Sequence, residues 1–154
     1  MDYYDAISSS YNELHALEQL EKARIIKREL KPHGLLLDVG AGTGVSTKIF
    51  EDCCQCIALD PSIELLRQYS GKKVLARAEN LPFPKNSFDC VVSITALHHT
   101  NLEKAFSEIK RVAKPNAKIG ISFFKRAANF SQARKLFAGF ECIEQKFDAI
   151  FLKR

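Results

Sequence analysis

No apolar run in the sequence reaches the length of a bilayer span, and the longest runs are strand-sized. A membrane-spanning helix is therefore not expected. The opening stretch MDYYDAISSSYNELH is acidic and polar and lacks an apolar signal core. Together these absences lead to the expectation of a soluble, cytoplasmic protein. There is no internal repeat, no low-complexity tract and no Pro/Gly/Ser-rich linker. One domain is expected over the 154 residues.

Cysteine is sparse and in the wrong pattern for a zinc site. Cys53, Cys54, Cys56, Cys90 and Cys142 are odd in number. The CCQC cluster has neither a second cluster nor nearby histidines to complete a metal site. These residues read as reduced cysteines packed as small apolar side chains.

Apolar residues are 46% of the chain, enough for a core, so a disordered chain is not expected. The net charge of +5 is uneven: residues 104–154 hold 12 Lys/Arg against 4 Asp/Glu, whereas residues 1–103 hold 11 against 14. A basic C-terminal part suits an anionic substrate or RNA, and equally suits a plain solvated surface.

The first expected element is a helix. Ser10-Tyr11-Asn12-Glu13 has the form of a capping box. Leu14, Leu17, Leu20, Ala23, Ile26 and Leu30 follow as one stripe, and Pro32 and Gly34 end it. Residues 1–31 thus form an N-terminal lid or helix ahead of a sheet core at 35–154. In that core, strands are expected at Leu35–Val39, Cys56–Leu59, Lys73–Ala76, Phe88–Ile94 and Lys118–Phe124. Helices are expected near Val45–Asp52, Ser62–Tyr69, Leu102–Val112 and Ser131–Phe137. A closing strand pair is expected at Glu141–Phe147 and Ile150–Leu152. Strands alternating with helices give an α/β sandwich with a mostly parallel sheet covered on both faces.

In such sheets ligands sit beyond the carboxyl ends of the strands, at the switch point of strand order. Gly40, Gly42 and Gly44, in the stretch LLLDVGAGTG, fall at the end of the first strand. Glycine removes the Cβ that would block a ligand, and the start of the following helix offers free N–H donors. The dinucleotide pattern G-x-G-x-x-G would need a third glycine at position 45, where Val45 stands, which disfavours a nicotinamide oxidoreductase. The absence of GK[ST] excludes a Walker loop. Asp60 ends the second strand, 22 positions after Asp38. An acid at that point can accept hydrogen bonds from both ribose hydroxyls. Capping of the following helix is the alternative.

The sequence resembles the class I S-adenosylmethionine-dependent methyltransferases, most of all the small-molecule branch that includes the ubiquinone/menaquinone C-methyltransferases. The resemblance rests on DVGAGTG (38–44), ALDPS (58–62), ARAENLPFPKNSFD (76–89), VVSITALHH (91–99) and IKRVAKPNAKIGIS (109–122). It implies a Rossmann-like three-layer sandwich whose seven-stranded sheet has the order 3-2-1-4-5-7-6, with the last strand antiparallel. The implied cofactor is S-adenosylmethionine. Gly40 and Gly42, within the loop that also holds Ala41 and Gly44, would approach its amino-acid portion, and Asp38 would bond its ammonium. Asp60 would hold the ribose, flanked by Pro61 and Ser62, with Ala78 and Glu79 near the adenine. Ser93, Ile94 and Thr95 would touch the methionine part, and His98 would lie close to the methyl. The N-terminal stretch resembles the family's lid, so Tyr3, Tyr4 and Tyr11 would close over the pocket, and Asp5 would contact substrate if that segment folds back. Relatives usually carry an Asp where Arg77 stands. A guanidinium cannot accept the adenine amino hydrogen, so backbone near Ala78 or an inward Glu79 would replace it.

A sulfonium methyl is already activated, so alignment and desolvation carry most of the catalysis. A base is needed only if the nucleophile holds its proton. His98 and His99 are the candidates. Only a short segment separates Phe124 from the closing hairpin, so an open mouth is expected, suited to a large substrate or to a partner subunit or second copy that completes the site. The expected acceptor is a small molecule. The alternatives are RNA or protein, or a cofactor-binding regulatory partner without catalysis. The sequence SITA after the fourth strand is not the NPPY type that many base-amino methyltransferases carry.

Overall fold

The computed structural model describes the backbone from Tyr3 to Arg154 and the side chains from residue 13 onward. Strands β1 (Gly34–Val39), β2 (Cys54–Asp60), β3 (Lys72–Leu75), β4 (Phe88–Ile94), β5 (Ala113–Phe124), β6 (Glu141–Glu144) and β7 (Asp148–Lys153) form one sheet. Its order is β3-β2-β1-β4-β5-β7-β6. The first five strands pair in parallel, and β7 runs antiparallel to both β5 and β6. The expected Rossmann-like sheet is therefore present, with β1 and β4 adjacent at the switch point.

Four helices cover the sheet: α1 (Tyr3–Leu30), α2 (Ile63–Leu66), α3 (Leu102–Val112) and α4 (Phe130–Leu136). Leu36 and Leu37 in β1 are both fully buried but belong to separate cores, one on each face. That is why β1 is apolar at nearly every position. On one face, Phe106 and Ile109 of α3 pack with Phe123, Phe137 and Phe151. On the other, Ala23, Ile26 and Leu30 of α1 pack on Leu36, Cys90, Val92 and Ile150. Helix α3 shows the local logic clearly. The Asn101 side chain accepts from the Lys104 N–H at 3.2 Å, and Leu102, Ala105, Phe106, Ile109 and Val112 form its buried stripe.

Several boundaries differ from expectation. Helix α1 runs unbroken through Ser10–Glu13, so that stretch is helix interior and not a start. A capping box needs a non-helical Ser, and here the backbone continues helical on both sides. Leu14 and Leu17 are 58% and 62% exposed, so the buried stripe begins only with Ala23 and Ile26. The helix expected at Val45–Asp52 is a short 3₁₀ turn, Thr47–Phe50, and that expected at Ser62–Tyr69 is the single turn of α2. β5 starts at Ala113, not Lys118, because Phe88 pairs with Ala113 before the register shifts to Cys90 with Lys118.

Gly120 sets how closely α1 approaches the sheet. A Cβ there would lie 2.7 Å from Ile26 Cγ2 and 3.0 Å from Leu30 Cδ1. Gly120→Val is expected to overpack this contact and cost about 1–3 kcal/mol, read as a lower urea midpoint. Gly139→Ala, where an added Cβ meets nothing within 4 Å, should shift the midpoint by no more than about 0.5 kcal/mol.

Candidate cofactor and methyl-transfer site

The loop after β1 folds back on the end of β2. The N–H groups of Gly40 and Ala41 both donate to the Leu59 carbonyl, at 2.8 and 2.9 Å. The Asp60 carboxylate then accepts from the Gly42 N–H through Oδ2 and from the Ser62 N–H through Oδ1, both at 2.9 Å. Gly40 has φ +75° and Gly42 has φ +58°, backbone that disfavours any side chain. At Gly40 a Cβ would lie 2.4 Å from Ala96 Cβ, whereas at Gly42 it would meet nothing within 4 Å. Gly42 is thus bare backbone facing open space.

That space is a cavity of about 690 Å³. Of the residues expected at the site, Gly40, Ala41, Gly42, Asp60, Pro61, Ala78, Glu79, Ile94, Thr95 and His99 line it. Asp38, Gly44, Ser62, Ser93 and His98 are not among the lining residues. The Gly44 backbone packs against the Tyr69 ring. Ser62 caps α2, accepting from the Leu65 N–H. The buried Ser93 hydroxyl donates to the Val39 carbonyl at 2.8 Å and ties β4 to β1. Tyr3, Tyr4, Asp5 and Tyr11 lie outside the residues whose side chains are described.

Asp38 is fully buried beneath the loop. Its Oδ2 accepts from Thr47 Oγ1 at 2.7 Å and Ser46 Oγ at 3.4 Å, while Oδ1 has no partner among the described residues. Burial pushes this carboxyl up to about 7, against the opposing pull of the Thr47 and Ser46 hydroxyls.

His98 and His99 lie against each other with ring centroids 3.8 Å apart and planes tilted by 43°. His99 is exposed and lines the cavity. His98 turns toward Phe123 and Phe124, and its Nδ1 is buried with no partner among the described residues. Burial first, then the neighbouring His99, holds His98 below its ordinary pKa, so its ring is neutral at pH 7. The histidine placed for contact with a ligand is therefore His99.

Sequence reasoning missed two groups. His15, Ala16 and Gln19 bring α1 to the cavity wall, and Leu65, Gln68, Ala96, Leu97 and Thr100 complete it. Arg77, exposed, also lines the cavity, and Glu79 accepts from the Asn101 N–H at 3.1 Å. Behind Thr95 sits a polar knot. Thr95 has φ +49°, a conformation that costs a β-branched residue on the order of 1–3 kcal/mol. Its N–H donates to Ser122 Oγ at 2.9 Å, and its Oγ1 accepts from Lys22 Nζ at 3.0 Å. Lys22 also forms an ion pair with Asp148, which is 2% exposed. No sequence pattern links positions 22, 95, 122 and 148; only the Ser in ISFF hinted at a polar spot inside a buried strand.

Among the described residues, no group of three or more His, Cys, Asp or Glu could hold a metal ion, and no helix is long and apolar enough to cross a membrane.

The profile of the family described as "Methyltransferase domain" matches residues 37–121. The chain is 33% identical to a demethylmenaquinone methyltransferase of Corynebacterium urealyticum, over 79% of this chain and 57% of that protein. It is 27% identical to a Bos taurus protein named tRNA methyltransferase 9B, over 78% of this chain and 28% of that one. Among solved structures, it resembles a chain of the complex between the Haloferax volcanii Trm112 methyltransferase activator and its methyltransferase. That match has a TM-score of 0.73 and 17% identity, and covers 94% of this chain and 79% of that one. The chain spans about half the length of the first curated relatives it matches, 42–57%. The switch-point cavity under a glycine loop, the strand-end acid and the match over more than half of its length agree, and the chain belongs to the class I S-adenosylmethionine-dependent methyltransferase family.

Proposed function

We propose that this chain binds S-adenosylmethionine in the switch-point cavity and directs its methyl group onto a small-molecule acceptor. The observation that carries the reading is the placement of Asp60 and the bare backbone at Gly42 on one wall, with Thr95 and His99 also lining the cavity. The residues fit the cofactor's parts. The Asp60 carboxylate suits ribose hydroxyls, and the apolar side chains of Leu65, Ala78 and Leu97 suit a flat ring. Open space at Gly42 suits the amino-acid portion, and the unpartnered Asp38 Oδ1 suits an ammonium, reached directly or through water.

When bound, the cofactor supplies a methyl group on a sulfonium, whose leaving group is a neutral thioether. The chain's own task is alignment and exclusion of water. Thr95 is held rigid by Ser122 and Lys22 at the end of β4. His99 can take a proton from an acceptor nitrogen or oxygen, with the His98 ring lying tilted beside it. The small-molecule reading is supported by the demethylmenaquinone methyltransferase among the relatives. The relative named as a tRNA methyltransferase and the excess of cations in residues 104–154 favour an RNA acceptor as a second reading. A partner subunit completing the mouth accords with the activator-bound structure of similar fold.

Isothermal titration is expected to give heat with both S-adenosylmethionine and S-adenosylhomocysteine; folded protein silent to both would contradict the proposal. Label from methyl-tritiated cofactor should pass into a component of cell extract, and His99→Ala should slow that transfer by on the order of a hundredfold while keeping affinity for S-adenosylhomocysteine.

Asp38 gives a pH signature. Its folded carboxyl, raised to about 7, keeps a proton that the unfolded chain loses near pH 4. Unliganded stability should therefore fall as pH rises from about 4 to about 7, then level off, and Asp38→Asn should flatten that slope. An ammonium beside Asp38 would expel the proton, so S-adenosylhomocysteine binding at pH 6 should release it. Calorimetry in two buffers of different ionisation enthalpy reads this directly; equal heats in both would refute the ammonium–Asp38 contact.

A further inference from the structure

We propose that a second cleft, between the C-terminal half of α1 and the 3₁₀ turn Thr47–Phe50, binds the phosphodiester backbone of RNA. This goes beyond the methyl-transfer reading and does not depend on which acceptor the cavity takes. The cleft has a volume of about 610 Å³ and is lined by Arg24, Lys27, Arg28, Lys31 and Lys48, with Ile49 and Asp52. Its one carboxylate is already neutralised, since Lys27 Nζ donates to both Asp52 oxygens at 2.7 and 2.8 Å. Arg28 has a long contact of 3.3 Å to Glu29, which Arg154 shares. Arg24, Lys31 and Lys48 have no ion-pair partner among the described residues. Cations gathered on one concave surface repel one another, and a ligand with regularly spaced negative charge relieves that repulsion.

The helix dipole explains part of the clustering but not all of it. Cations in the last turn, Lys27 and Arg28, complement the negative end of α1. Arg24 lies a turn further back, and Lys48 belongs to a different element. Their convergence on one groove is a tertiary feature. On α1 the cations Arg24, Lys27 and Arg28 span about 6 Å along the axis, and Lys31 follows just past the helix end, a row longer than a single phosphate and suited to successive ones. A phosphodiester strand can follow such an open row of cations with its successive phosphates. Folded RNA adds single-stranded loops whose backbone is free to follow it.

The test uses the full chain and a fluorescein-labelled RNA stem–loop, with binding read by anisotropy across a salt series. A triple variant, Arg24→Ala with Lys31→Ala and Lys48→Ala, is compared with a control of equal charge change, Arg67→Ala with Lys72→Ala and Lys85→Ala. The control positions are exposed and outside the cleft. Calorimetry with S-adenosylhomocysteine checks each variant's fold and keeps failure of the cofactor reading separate from failure of this one. The expected result is salt-dependent RNA binding that the cleft variant weakens on the order of tenfold or more, with a log–log salt slope shallower by about 2, and that the control leaves unchanged. The proposal is overturned if wild type does not bind the RNA at physiological salt, or if both triple variants weaken it equally. It is also overturned if the cleft variant binds as wild type, or if duplex DNA or phosphatidylserine vesicles displace the RNA as well as unlabelled RNA does.

Discussion

The Asp60 carboxylate is the joint on which the site depends. One oxygen holds the Gly42 N–H and the other the Ser62 N–H, so a single side chain ties the loop after β1 to the turn after β2. The Leu59 carbonyl reinforces the same joint from Gly40 and Ala41. The two backbone donors fix the orientation of the carboxylate at the wall of the cavity. The glycines are bare for different local reasons: at Gly40 the Ala96 methyl leaves no room, and at Gly42 there is room that a ligand can use.

A second constraint comes from α1. Gly120 lets the helix sit close on β5, and Lys22 reaches across to Asp148 and Thr95. A buried ion pair of this kind contributes little net stability, but losing one partner would leave an uncompensated charge inside. Its structural consequence is positional. The same helix carries Ala16 and Gln19 to the cavity wall, so that part of the wall is held by contacts far from it in sequence. Thr95, strained at φ +49°, is where the two constraints meet, because β4 delivers it to the cavity and Ser122 and Lys22 hold it there.

Much of the fold was legible because its signals are periodic. β4 and α3 have the bounds expected from the sequence, since a seven-residue apolar strand and a capped amphipathic helix are strong local patterns. The strand order followed from the motif chain that carries the family resemblance. The start of α1 was not legible, because Ser10–Glu13 satisfies a capping pattern that a longer helix simply overrides. The turn after β1 was misjudged in length: its apolar spacing suits a helix, but the backbone closes only one 3₁₀ turn, Thr47–Phe50, with Thr47 Oγ1 turned inward onto the buried Asp38. In the candidate site, the placement of Gly40, Gly42 and Asp60 on one cavity wall could be read because each falls at the carboxyl end of a strand that the apolar pattern marks. The relative roles of His98 and His99 could not, since adjacent residues differ only in which way the turn points them, and Lys22 could not, because its partners are tertiary.

The most direct measurement is a crystal structure of the chain grown with S-adenosylhomocysteine. The account predicts the ribose hydroxyls within hydrogen-bonding distance of the Asp60 carboxylate and the amino-acid portion over Gly42. A cleft that stays empty at saturating ligand, or a ribose turned away from Asp60, would contradict it.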